Sequence, residues 1–174
     1  IPQGVSVLKI PQQKVWLVFR NYHLDWQGQE LTQILKRVQQ WENAGNHIQG
    51  IQIDFDAKTK HIHQYALFLS QLRKQLPQHY QLSITGLMDW TNVTNQETLN
   101  LLNNTIDELV IQTYQSSTTI PNYAAYLKKV SALKLPYKIG IVQYGEWHRP
   151  PKLENDPNFK GYVVFLLRSK PQNN

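Results

Sequence analysis

The 174-residue chain carries 18 Lys and Arg against 12 Asp and Glu, a net charge of +6, with 41% hydrophobic and 11% aromatic residues. That is enough apolar material for one packed domain, read over residues 1–174, and it excludes a disordered chain. With no cysteine, disulfides, thiolate metal sites and cysteine nucleophiles are excluded.

In chain order, apolar runs of strand length alternate with segments of helical period. The first strand is read at Val15 to Phe19, followed by a helix with Leu31, Leu35, Val38 and Trp41 on one face and a stop at Ala44-Gly45-Asn46. The second strand is Ile51 to Phe55, and Ile62, Tyr65, Ala66, Leu69, Leu72 and Leu76 mark the next helix. A strand at Leu82 to Leu87 precedes Thr94-Asn95-Gln96-Glu97, whose spacing predicts a capping box opening a helix through Leu99 and Leu102. Strands at Leu109 to Thr113, Tyr137 to Val142 and Gly161 to Leu167 complete the series, with a helix on Tyr123, Tyr126, Leu127, Val130 and Leu133. Residues Trp147 to Phe159 read as a long loop.

Strands joined by crossover helices run parallel, which predicts an α/β fold. No glycine-rich phosphate turn is present, so a nucleotide fold is disfavoured and a parallel barrel of the TIM type, (β/α)-barrel-like, is expected. A full barrel takes about 250 residues and eight strands. Six strand-helix units are read here, so the barrel is expected to be incomplete, lacking its first two units. The chain starts at Ile1 and not at Met, which agrees with sequence upstream. The outer strands would then offer unpaired edges and a route to dimers.

The basic pairs Lys36-Arg37, Arg73-Lys74 and Lys128-Lys129 are scattered over helices, which argues for solvated faces and against a nucleic-acid partner. No run reaches the roughly 18 apolar residues of a membrane span. No cofactor or metal-ligand motif is present; His61 and His63 read as the opening of a helix.

The stretch Gly50 to Asp56 separates two faces of one strand: Ile51, Ile53 and Phe55 on one, Gln52, Asp54 and Asp56 on the other. In a barrel the apolar set packs under helices while the acids face the interior and, at the C-terminal end, the mouth where barrel active sites lie. Two acids about 7 Å apart should repel, so one is expected to hold its proton more tightly. Ser83, Thr85, Gln112 and Tyr114 alternate in the same way, and Asp89-Trp90 and Tyr144 to Trp147 follow strands near the rim. Aromatic rings beside carboxylates suit sugars, which predicts a carbohydrate ligand contacted by Gln52, Thr85, Asp89, Trp90, Gln112, Tyr144 and Trp147.

The runs Ile51 to Asp56 and Leu82 to Trp90 resemble an uncharacterised bacterial family of barrel proteins catalogued as a domain of unknown function. That family is in turn similar to the chitinase-like glycoside hydrolases of family eighteen, with their Asp-x-Asp-x-Glu strand. Gln52, Asp54 and Asp56 take those three places, and Gln112-Thr113-Tyr114-Gln115 takes the place of a later Met-x-Tyr-Asp. The resemblance implies a glycosidase with Asp56 as acid and Asp54 and Tyr114 as supporting catalytic groups, and an exported, periplasmic or secreted protein. Asp is a methylene shorter than Glu, and displacements of about 1 Å cost about a hundredfold in rate. The alternatives are a catalytically silent carbohydrate-binding barrel and a metal-dependent hydrolase using Asp54, Asp56 and Asp89.

Overall fold

The structure, a computed structural model, describes residues 6–93 and 95–167. Among the described residues eight strands form: β1 (Lys14–Arg20), β2 (His47–Asp54), β3 (Gln81–Leu87), β4 (Glu108–Gln112), β5 (Tyr114–Gln115), β6 (Thr118–Thr119), β7 (Tyr137–Val142) and β8 (Phe159–Phe165). Four α-helices lie between them: α1 (Gln29–Asn43), α2 (Ile62–Gln75), α3 (Gln96–Thr105) and α4 (Tyr123–Leu127). The main sheet has six parallel strands in the order β1-β2-β3-β4-β7-β8 and curls into a half-barrel, as expected of an incomplete parallel barrel. Strands β1 and β8 stand at its two edges.

The period-two alternation of the strands decides which side chains meet the helices. Ile51, Ile53, Leu82, Ile84, Leu109, Ile111, Tyr137 and Ile139 are fully buried on the helix side. Leu31, Ile34, Val38 and Trp41 of α1 and Tyr65, Ala66, Leu69 and Leu72 of α2 close over them. Each fully buried aliphatic side chain contributes roughly 1.5–3 kcal/mol, so this layer is the main stabilising term of the fold.

Several boundaries move. Strand β2 begins four residues before the expected Ile51 and ends at Asp54, so Phe55 and Asp56 belong to the following loop. Thr94 lies outside the described residues; the helix it was expected to cap opens at Gln96, and Asn95 caps it, its Oδ1 accepting from the Thr98 N–H at 3.0 Å. The helix expected over Tyr123 to Leu133 divides into α4 and a 3-10 turn at Val130–Leu133, which still delivers Tyr123, Leu127, Val130 and Leu133 to the core. The short antiparallel hairpin β5–β6 has no counterpart in the sequence reading.

Candidate functional site

The open face of the sheet carries the other half of each alternation. Parallel register sets Arg20 opposite Asp54, Gln52 opposite Ser83, and Ser83 opposite Glu108. A polar chain therefore crosses four strands: Gln52 Nε2 donates to Ser83 Oγ at 3.1 Å, Ser83 Oγ donates to Glu108 Oε1 at 3.4 Å, and Lys138 Nζ lies 2.8 Å from Glu108 Oε2. These bonds satisfy polar groups that would be costly to enclose unpaired.

One step towards the C-terminal end of the strands, Arg20 joins two carboxylates. Its Nη1 donates to Asp54 Oδ1 at 3.0 Å and to Asp56 Oδ1 at 3.2 Å, while Nη2 donates to Asp56 Oδ2 at 2.7 Å. Thr85 Oγ1 donates to the same Asp54 oxygen at 2.9 Å. The hydrogen bond to Asp56, and then the charges of Asp54 and Asp56, hold the guanidinium still further above its ordinary value, against the opposing effect of burial. The ring of Tyr22, itself 79% exposed, lies with its centroid 5.3 Å from the guanidinium carbon. The two acids are thus not an isolated repelling pair, as the sequence alone suggests, because a shared cation sits against both.

Side-chain exposure rises outward from 24% at Asp54 to 52% at Asp56, so Asp56 is the more accessible acid. Tyr114 is half-buried on the open face; its ring stacks on Phe165 at 5.4 Å and lies beside Gly140. Burial first, and the negative charge of Asp54 second, raise its hydroxyl above its ordinary value, while a hydrogen bond with Gln112 acts the other way. The Tyr114 hydroxyl therefore feels the charge of Asp54 and is held by Gln112.

The family comparison bears on this cluster. The model of one family, described as Domain of unknown function (DUF3142), matches residues 23–146, more than half of the chain. The chain belongs to this family. No curated protein and no solved structure matches it. The DUF3142 match contains Asp54, Asp56, Thr85, Gln112 and Tyr114 and begins just after Arg20.

The remaining residues picked out in the sequence are Trp90, Asp89, Trp147 and Tyr144. Trp90 is only 1% exposed, packs edge-on against Tyr65 at 6.1 Å, and donates from Nε1 to the Ala57 carbonyl at 2.8 Å. Its place is the helix-side core, so the ligand contact expected of Trp90 is corrected to a packing role. Asp89 is half-buried in the 3-10 turn Met88–Asn92. Trp147 stacks on Tyr123 at 5.1 Å and meets Tyr162 edge-on at 5.6 Å, which ties the long loop to the core. Tyr144 is 61% exposed at a backbone φ of 64°. Among the described residues no group of three or more His, Asp or Glu is placed to hold a metal ion, and at Asp54 and Asp56 a cation would first have to displace Arg20. No helix is long and apolar enough to cross a membrane among the described residues.

Sequence reasoning missed Arg20 and Tyr22. The available signal was an arginine at the end of an apolar strand, in phase with Trp16 and Val18 and out of phase with the buried Val15 and Leu17.

Proposed function

We propose that this DUF3142 chain is a carbohydrate-binding barrel domain whose acid pair recognises sugar hydroxyls instead of donating a proton. The observation that carries this reading is Arg20 holding both oxygens of Asp56 and one of Asp54. A carboxylate that accepts two bonds from a guanidinium is a poor general acid, whereas an Arg–Asp pair offers donors and acceptors side by side, the pattern that two neighbouring hydroxyls require. The exposed Tyr22 ring beside it supplies an apolar face of the kind on which sugar rings stack. The resemblance of Gln52, Asp54, Asp56 and Tyr114 to the chitinase-like hydrolases supports a glycan as the ligand, and the Gln at 52 and Asp at 56 support loss of turnover. The resemblance to the uncharacterised bacterial family supports a bacterial, exported protein.

Hydrolysis is the second reading, favoured by the 52% exposure of the Asp56 side chain in the loop just past β2. It requires Arg20 to release Asp56 when a glycan enters, Asp56 to take up a proton from solvent and pass it to the glycosidic oxygen as the C–O bond breaks, and water to add at the anomeric carbon with loss of its proton to solvent. A glycan-array screen on the wild type, paired with a reducing-sugar assay on every glycan bound, separates the two. Binding without release of reducing ends, weakened in Arg20→Gln, is the expected result. Release of reducing ends by the wild type and not by Asp56→Asn would replace the binding reading with the hydrolytic one.

A further inference from the structure

A groove of about 650 Å³ runs between the β1–α1 loop and the outer face of α2, away from the acid cluster. Gln64, Gln71 and Gln75 of α2 line one wall, spaced so that all three fall near one helical stripe, and Trp26, Leu67 and Phe68 supply apolar surface. Among the described residues Asp25 is the one ionisable side chain lining it. Although the chain is basic overall, no Lys or Arg among the described residues lines this groove, so its lining lacks the cations that a phosphate or an acidic polymer would need. Amides flanked by aromatic and aliphatic surface match a neutral ligand with hydroxyls at its edge and C–H groups on its faces.

The groove is also joined to the acid cluster. The Asn21 N–H donates to the Asp54 carbonyl at 2.8 Å, and Asn21 Oδ1 accepts from Trp26 Nε1 at 3.1 Å. Trp26 meets Phe68 edge-on at 4.9 Å. The end of β1 and the loop after it thus carry Arg20 and Tyr22 to the rim and Leu24, Asp25 and Trp26 to the groove, two hydrogen bonds apart.

We propose that the α1–α2 groove is a second contact for the same glycan, and that the ligand is a neutral polysaccharide long enough to run from the Arg20 cluster over the β1–α1 loop. This rests on the carbohydrate-binding reading and deepens it from sugar to polymer. The test is calorimetric titration with soluble mannan, laminarin, xyloglucan and chitohexaose, and with the disaccharide of whichever is bound. The variants are Gln64→Ala/Gln71→Ala, at exposed helix positions where Ala favours the helix, and Arg20→Gln. The expected result is that Gln64→Ala/Gln71→Ala weakens polymer binding about tenfold while leaving the disaccharide unchanged, and Arg20→Gln weakens both. Polymer affinity unchanged in Gln64→Ala/Gln71→Ala, with Arg20→Gln still weakened, overturns the groove and leaves the rim reading standing. No binding to any of the four polymers overturns both.

Discussion

Replacing Arg20 by Gln isolates the interaction on which the site depends. The guanidinium makes bonds of 2.7, 3.0 and 3.2 Å to two carboxylates, but its side chain is 39% exposed, so each is worth a few tenths of a kcal/mol to about 1 kcal/mol after screening by solvent. Removing it also leaves the charges of Asp54 and Asp56 facing each other with their nearest oxygens no more than about 6 Å apart, because both bond the same Arg20 nitrogen, a repulsion of about 0.7–1.4 kcal/mol at an effective dielectric constant between about 40 and 80. The sum is a loss of about 2 kcal/mol. With a urea slope of about 2 kcal/mol per molar, the unfolding midpoint should fall by about 1 M. Asp56→Asn on the Arg20→Gln background should recover part of that loss, because it removes one of the two repelling charges, giving a coupling of about 1 kcal/mol in the double-mutant cycle. The coupling should shrink in 1 M NaCl, where the screening length is about 3 Å. A midpoint unchanged by Arg20→Gln, or strictly additive single and double variants, would refute the shared ion pair.

Three further outcomes are expected. Tyr80 donates to the Glu42 carboxylate at 2.5 Å, and burial followed by that contact pushes its hydroxyl from 10.0 up to about 12. A raised native value means that the unfolded chain ionises first, so this stabilisation is complete below about pH 10 and is lost as pH rises towards 12. Urea midpoints measured from pH 8 to 11.5 should fall less steeply in Tyr80→Phe than in the wild type, and parallel curves would count against the assignment. Trp90→Ala should cost about 3–5 kcal/mol by emptying a core position that is 1% exposed, and Trp90→Phe less. Glycan affinity of the folded Trp90→Phe variant should match the wild type, and a selective loss of affinity would return Trp90 to the binding surface. Val163, Val164 and Phe165 are 37–50% exposed on the edge strand β8, so self-association through the sheet edges should appear in sedimentation velocity as concentration rises. A monomer at every concentration up to about 0.5 mM argues against an adhesive edge.

The sequence by itself determined the class of fold, because period-two and period-3.6 patterns are local properties of the chain. The apolar phase of Ile51 and Ile53 and the polar phase of Gln52 and Asp54 could be read without coordinates, and both phases appear on the expected faces of β2. Strand ends were less legible: Tyr137–Val142 coincides with its reading, whereas β2 starts early because His47 to Gly50 pair with β1 despite a weak apolar signal. Trp90 was misplaced for a related reason. Its position after β3 suggested the rim, but its chain turns back through a 3-10 turn and buries the indole against Tyr65 and the Ala57 carbonyl. The ion pairing of the acid cluster was decided only by tertiary structure. Asp54 and Asp56 announce themselves as a pair within three residues, while their cation lies 34 residues from the first of them, brought opposite by parallel register between β1 and β2. Register depends on how whole strands seat their apolar faces under α1 and α2, which is a property of the assembled sheet and of no single segment.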